Sequence, residues 1–275
     1  MNNIIDTYYN LFVKDIHRLW PEETIAALDE RVNAGSIIRY LQRDKTRIAT
    51  IVEHVGKIAT GKKILDIGCA YGFYDIILKG NFNCDITGLE MPESVDAYCR
   101  LLKENNVPVI ESTLSKAPCP IDDGSFDIII FSEILEHLRV SPLRVLKEIR
   151  RVLKPDGIMI LTTPNMGYLR NVTHLLTGKN ILQPFPEDDT RWDSVTDALT
   201  HTRVYMINEV LELIDKAGFG VLESRFISAE KINWQARPSL PLHLLYMFLI
   251  TIVPSFRDSF MITAKKLSSG INYVI

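Results

Sequence analysis

From Lys62 onward the chain alternates short apolar runs with helical stretches, and this alternation constrains its fold more than any other feature. The runs KILDIG (63–68), CDITGLE (84–90), VPVIES (107–112), FDIIIFS (126–132) and GIMILTTP (157–164) are each of strand length and rich in β-branched residues. Between them, Tyr74–Lys79, Ser94–Asn105 and Pro142–Leu153 carry helical patterning. Strands alternating with helices imply βαβ units, right-handed crossovers and a parallel sheet with helices on both faces. The rhythm resumes with a helix over Ile207–Ala217, ended by Gly218, then a strand over Gly220–Ile227 and a last strand, SFMITAKK (259–266). These two strands read as an antiparallel pair closing the edge of a seven-stranded, mostly parallel sheet. Ligands of such sheets bind beyond the carboxyl ends of the strands, so the chemistry is expected just after each apolar run.

The first run leads into ILDIGCAYG, residues 64–72. The strand reaches Asp66, Gly68 and Gly72 open a turn, and a helix begins near Phe73. Gly68 lets the backbone approach a ligand closely, and the helix start offers unpaired N–H groups. No Gly-Lys-Ser/Thr follows, and Ala70 and Tyr71 break the dinucleotide glycine pattern, which disfavours a phosphate cradle. Glu90 closes the second run, where an acid can accept hydrogen bonds from both hydroxyls of a ribose. Together these features point to an adenosine-like ligand without a pyrophosphate.

Residues 64–72 with Glu90, the block IDDGSFDIIIFSEILEHL (121–138) and the block VLKEIRRVLKPDGIMILTTPN (145–165) resemble class I S-adenosylmethionine-dependent methyltransferases over about residues 60–227, in the small-molecule, ubiquinone-pathway-like O-methyltransferase branch. The resemblance implies a Rossmann-like sheet with S-adenosylmethionine as cofactor. It further implies that Asp66, Gly68 and Gly72 surround the methionine part and that Glu90 holds the ribose, with Cys69, Ala70, Met91, Thr113, Leu114, Ser132 and Glu133 also among the cofactor-binding residues. A turn at Pro155-Asp156-Gly157 would lead into the fifth strand. One departure stands out: Thr113, followed by Leu114, occupies the place where the family usually has an Asp facing the adenine amino group.

After the fourth run stands Glu133-Ile134-Leu135-Glu136-His137. On a helix or turn, positions i, i+3 and i+4 share a face, so both carboxylates and the imidazole can point into one cleft. One reading has Glu133 lining the cofactor cleft, Glu136 on the surface and His137 as a packed residue or a single base. The other is a divalent-metal site like those of small-RNA 2′-O-methyltransferases and ubiquinone-pathway O-methyltransferases. Its ligands would be Glu133, Glu136, His137 and His201, with His174 as the alternative fourth, holding Mg²⁺ or Mn²⁺. The expected catalytic residues are His137, His201 and Glu136. Tyr71, Tyr168, Arg170, Trp192, Arg203 and Tyr205 are candidates for acceptor contacts, a core or surface role being the commoner fate of any one of them.

Around this core, residues 1–60 read as an N-terminal helical cap, with helices over Glu22–Val32 and Ile37–Ile58. The core comprises 61–164 and 201–266. Between its halves, 165–200 contains Pro184, Pro186, an acidic run and Trp192, and reads as an irregular substrate lid. An uncharged segment, LPLHLLYMFLITIV (240–253), lies in an apolar C-terminal helix over 238–254. It is too short to span a bilayer. It is expected first as a buried or capping helix, and otherwise as a helix at a membrane interface or along a greasy groove.

The chain's 275 residues can bury a core without disulfides. Its four cysteines lack metal or disulfide spacing, and the first residues lack the pattern of an export signal, which together read as a cytoplasmic protein with reduced thiols. The net charge of −3 disfavours nucleic acid, although the pairs Lys62-Lys63 and Arg150-Arg151 leave a local basic patch open. No Asp/Asn-Pro-Pro-Tyr/Phe motif follows the fourth run, which disfavours amino-methylation of DNA. The expected partner is a small-molecule or glycan acceptor bearing a hydroxyl. The alternatives are an RNA or protein methyltransferase, or a non-catalytic cofactor-binding scaffold.

Overall fold

The computed structural model describes residues 2–20, 33–114, 118–182, 201–228 and 240–268. The expected helix at 22–32 and the acidic run and Trp192 of the lid lie outside these residues. Two helices, α1 (Asn2–Leu19) and α2 (Ala34–Gly56), precede β1 (Lys63–Ile67), α3 (Phe73–Phe82), β2 (Asp85–Glu90), α4 (Pro92–Tyr98), α5 (Arg100–Glu104), β3 (Val109–Glu111) and β4 (Phe126–Ser132). There follow a 3₁₀ turn (Leu135–His137), α6 (Pro142–Val152), β5 (Leu153–Pro164), α7 (Leu169–Leu176), α8 (Ile207–Lys216), β6 (Phe219–Ile227), α9 (Leu240–Ile252) and β7 (Ser259–Lys266).

The strands form one seven-stranded sheet in the order β3-β2-β1-β4-β5-β7-β6. All pairings are parallel except those of β7, which runs antiparallel to β5 and to β6. The expected antiparallel pair therefore closes the sheet, with β7 inside it and β6 on the outer edge. The period of two along each strand divides the core between the two faces. Ile64, Ile128, Ile130 and Ile160 pack with α1 to α5, whereas Leu65, Ile129, Phe131, Met159 and Leu161 pack with α6 and α8. Residues buried on both faces explain why these strands read as unbroken apolar runs.

Several elements depart from the sequence-based expectation. The helix expected over 94–105 is split at Cys99, where ψ is 22° and the helical hydrogen bonding restarts. Strand β5 begins at Leu153, and the register with β4 slips between Phe126 and Ile128, so Lys154–Gly157 bulge outward with Asp156 at φ 61°. The first part of the supposed lid is ordered. Asn165 forms a parallel bridge with Tyr205, and α7 follows directly. The Arg150-Arg151 pair offers no free basic patch, because Arg150 donates to the carbonyls of Gly218 and Leu267 and Arg151 binds Glu148 and Asp123. Helix α9 is not buried: Leu244, Leu245, Phe248 and Ile252 are each more than half exposed.

Helix α2 docks the cap on the sheet. Its seam of Ile37, Leu41, Ile48, Ile51 and Val55 is apolar, but the same register buries Asp44 at 1% exposure, and Arg47 lies beside it at 6%. The Arg47 guanidinium bridges Asp44 (2.9 Å) and Glu133 (2.7 Å), the residue that follows β4. A buried pair that loses one partner leaves an uncompensated charge. Arg47→Ala is therefore expected to cost about 3 kcal/mol of stability, with Arg47→Lys losing less; an unchanged midpoint in urea unfolding would refute this role.

Candidate active site

The loop between β1 and α3 is held in a conformation that glycine makes accessible. Gly68 and Gly72 have φ of 71° and 68°, and a Cβ on either would meet Ile134 Cδ1 or Leu102 Cδ2 at 2.2 Å. Ala70 also has a positive φ, of 44°. Its N–H donates to Glu90 Oε2 (2.9 Å), and the Met91 N–H donates to Glu90 Oε1 (3.0 Å). Glu90 is thereby fixed at the end of β2, with its remaining lone pairs able to accept from a diol. Burial raises its pKa, and the two N–H donors oppose that shift.

Asp66 lies beneath this loop, wholly buried, with neither carboxylate oxygen hydrogen-bonded to a donor. Its neighbour Asp75, on α3, is equally enclosed and equally orphaned. Burial, then the neighbouring Asp75 and Glu90 carboxylates, push Asp66 well above the usual carboxylate range. Burial also lifts Asp75 to about 6, against the opposing pull of the adjacent Asp66 carboxyl. Two acids without a donor between them must share a proton. An uncommitted buried carboxyl pair beside a glycine loop fits a ligand that carries positive charge there.

Cys69 points away from the cleft. Its sulfur packs where a side chain on Gly88 would stand and lies 4.0 Å from Cys99 Sγ. Leu114 is buried in the core and Thr113 half-buried beside β3, whose end is tied by Ser112 N–H to the Glu90 carbonyl. Tyr71 is the hub of an aromatic cluster with Trp20, Tyr40, Phe73 and Tyr98, at centroid distances of 5.4 to 5.9 Å. The cap thus closes over the glycine loop through an edge-on contact from Trp20 and a tilted one from Tyr40.

Beyond β4 the chain turns sharply. Glu133 has φ 56°, donates its N–H to the Thr162 carbonyl and accepts from Thr162 Oγ1 (3.0 Å), which itself contacts Ser132 Oγ (2.8 Å). With Arg47 on its other oxygen, Glu133 is committed to the cap. Glu136, 1% exposed, accepts from Thr163 Oγ1 (2.9 Å) through one oxygen, while the other accepts no hydrogen bond and lies 3.8 Å from His137 Nε2. Burial and then repulsion from Glu133 raise it well above the carboxylate range.

The carbonyl of Glu136 receives the N–H groups of Thr202 and Arg203, and the Thr202 hydroxyl binds the carbonyls of Glu136 and Leu138. This clamp sets His201 against His137, with ring centroids 4.9 Å apart and planes at 71°. Ligand atoms of Glu136, His137 and His201 all lie within 4.8 Å of one another. Burial, then the charge of Arg43 on α2, lowers the His201 pKa, which favours the neutral ring.

Glu133 does not join this group, since Arg47 holds it. His174 does not join it either, and lies on α7. Of the expected acceptor contacts, Tyr205 is a core residue, 4% exposed, and Arg203 pairs with Glu209 over the Tyr205 ring. Tyr168 meets Tyr246 of α9 through their hydroxyls (3.2 Å), and Arg170 is exposed on α7. The sequence reading missed Arg43, Arg47, Thr162, Thr163 and Asp75. A signal existed for α2, because Asp44 falls in the apolar 3-4 register and demands a buried counter-charge.

The sheet order, the glycine loop and the acid closing β2 define a class I nucleoside-cofactor domain. Residues 65–161 match the methyltransferase domain family. The chain is 26% identical over 175 residues to a probable S-adenosylmethionine-dependent methyltransferase of Mycolicibacterium smegmatis, covering 64% of this chain and 58% of that one. It is 29% identical over 142 residues to the ubiquinone biosynthesis O-methyltransferase of Pseudomonas aeruginosa, covering 51% and 60%. The match thus spans about three fifths of either relative. A solved S-adenosylmethionine-dependent methyltransferase from Thermotoga maritima superposes with a TM-score of 0.54 at 17% identity, covering 85% of this chain and 96% of that one. Residues 65–161 are thus similar to methyltransferase domains, and the relatives matched over them include a probable S-adenosylmethionine-dependent methyltransferase.

Two outcomes follow for the loop. Glu90→Ala is expected to weaken S-adenosylmethionine binding about a hundredfold, read by calorimetry, through loss of two charge-assisted hydrogen bonds. For Asp75, a folded-state pKa of about 6 lies above its ordinary 3.8, so the folded chain holds the proton more tightly than the unfolded one. Its protonated form is therefore favourable below pH 4, and that advantage is lost as pH rises through 6. Asp75→Asn should remove this fall and raise ligand-free stability at neutral pH by up to ~3 kcal/mol; a pH–stability profile parallel to that of the parent would exclude it.

Proposed function

We propose that this protein is an S-adenosylmethionine-dependent methyltransferase acting on a hydroxyl of a small molecule, sugar or lipid-linked glycan. The observation that carries the reading is the convergence of Glu136, His137 and His201, brought together from two distant segments next to the residues that end β4 and β5. Class I folds host many chemistries, so the assignment rests on this site and not on the sheet.

The residues fit the cofactor. Glu90, its position fixed by two N–H groups, would accept from a ribose diol, and the orphaned Asp66 carboxyl suits the cationic methionine part. When bound, S-adenosylmethionine supplies a methyl group already activated on a sulfonium. The chain then has to hold an oxygen nucleophile in line and remove its proton. His137 or His201 accepts that proton at an imidazole nitrogen, and Glu136, fixed by Thr163, stabilises the imidazolium that forms.

One carboxylate and two imidazoles can also hold a divalent ion. Of the two ions expected from the sequence, this set suits Mn²⁺ better than Mg²⁺, which prefers oxygen ligands. Such an ion would lower the pKa of an acceptor hydroxyl. The donors present are Glu136, His137 and His201, without Glu133.

The relatives matched include an O-methyltransferase of ubiquinone biosynthesis, which supports an oxygen acceptor. The internal use of Arg150 and Arg151 supports a small molecule over RNA. The exposed apolar surface of α9 supports an acceptor or a docking surface of apolar character.

The decisive experiment screens sugars, phenols and lipid-linked acceptors for methyl transfer, with and without EDTA. Glu136→Gln, His137→Ala and His201→Ala should each lower kcat/KM at least about a hundredfold, with cofactor affinity within about threefold of the parent. Undiminished turnover in all three variants would remove the cluster from the reaction. Cofactor binding with no transfer to any acceptor class would favour the scaffold reading.

A further inference from the structure

The chain carries 34 Asp and Glu in 275 residues, yet none falls between 165 and 182 or between 240 and 257. These two stretches contain Arg170, Lys179 and Arg257. Eight of the twelve large exposed apolar side chains among the described residues also lie here: Leu175 and Leu176 on α7, Leu182 after it, and Leu244, Leu245, Met247, Phe248 and Ile252 on α9. Helix α7 buries none of its residues. On α9, the described side chains that turn inward are Tyr246, Leu249 and Ile250.

The two helices hang from one residue. Asn165 donates through Nδ2 to the carbonyls of Ser255 (2.7 Å) and Arg257 (2.8 Å), just after α9. Its own carbonyl accepts from Tyr168 N–H and Asn171 Nδ2, at the start of α7. The Tyr168–Tyr246 hydroxyl contact ties the helices a second time. Asn165 is two residues beyond Thr163, which holds Glu136. The apolar surface therefore lies at the same end of the sheet as the candidate active site.

We propose that α7 and α9 together dock the protein on the surface of an anionic phospholipid membrane. The proposal goes beyond the methyl-transfer reading and does not depend on it. Helix α9, at 13 residues, is about 20 Å long and too short to cross the hydrocarbon layer, and no helix among the described residues is long and apolar enough to do so. A helix of this kind lies in the interface with its apolar side chains among the acyl chains and cations at the headgroups. Among the described side chains on the exposed side of α9, the one polar group is the Thr251 hydroxyl, already given to the Met247 carbonyl, which leaves a protein partner little to recognise. The absence of acids from both stretches, in a chain of net charge −3, gives the surface the sign that anionic headgroups attract.

The test is sedimentation of the full chain with vesicles of phosphatidylcholine, with and without phosphatidylglycerol. Binding is expected to the vesicles containing phosphatidylglycerol and to weaken at high salt. Leu244→Glu with Phe248→Glu should lower the partition coefficient at least tenfold, and Leu175→Glu with Leu176→Glu should lower it as well. Unchanged S-adenosylmethionine affinity in these variants shows that they fold. The proposal is overturned if the parent binds neither vesicle, if binding survives both pairs of substitutions, or if sedimentation velocity reveals a dimer that the same substitutions dissolve, which would give the face to a second copy. None of these readouts uses methyl transfer, so a failure here leaves the enzymatic reading standing, and the reverse.

Discussion

The contact between Arg47 and Glu133 joins the two parts of the molecule that the rest depends on. Arg47 belongs to the cap and Glu133 to the turn that ends β4 and leads to Glu136 and His137. Glu133 holds a positive φ that few non-glycine residues adopt, and the ion pair together with Thr162 over-determines it. Asp44 and Glu133 share the Arg47 guanidinium, and Arg43 brings a second positive charge to Asp44 (3.0 Å), so two cations meet two carboxylates in this buried patch. The cap is thus a working part of the site: it fixes the turn, closes an aromatic cluster over Tyr71, and brings the charge of Arg43 to bear on His201.

A second constraint is the pair Asp66 and Asp75. Folding has enclosed two carboxyls with no donor between them, an arrangement that costs stability in the ligand-free chain. Groups left in such a state are commonly found where a ligand completes them. A cationic cofactor over the glycine loop would supply the missing charge. The Glu136 oxygen that accepts no hydrogen bond repeats the pattern at the other end of the cleft, beside the two imidazoles. Stability is given up at the two places where chemistry is expected.

Much of this was legible in the residues, for identifiable reasons. Strands buried on both faces read as unbroken apolar runs, so β4 and β7 have the boundaries that 126–132 and 259–266 suggest. Glycine-dependent turns and the acid closing β2 are local, and they too were visible. What was not legible depends on contacts between distant segments. Glu133 is sequence-adjacent to Glu136 and His137, but Arg47, far upstream, decides that it faces the cap. Tyr205 looks like a polar aromatic on a loop, yet its backbone pairs with Asn165 and Met166 and carries the ring into the core. Apolarity alone misled for α9: an uncharged helix of this length is usually core, and exposure can be read only once its neighbours are known.

The placement of Asn165 connects the sheet to its periphery. A residue just past the carboxyl end of β5 is where this architecture puts function, and here that residue is spent on holding two peripheral helices. Its amide satisfies the carbonyls that follow α9, and its carbonyl satisfies the donors that begin α7, so neither helix can shift without breaking bonds at a buried position. Thr163, two residues earlier on the same strand, fixes Glu136. The position of Glu136 and the attitude of the exposed apolar helices are therefore set by one short stretch of β5. An acceptor approaching along those helices would meet the Glu136, His137 and His201 cluster in a fixed geometry, which is the condition that in-line methyl transfer imposes on a protein that contributes mainly orientation.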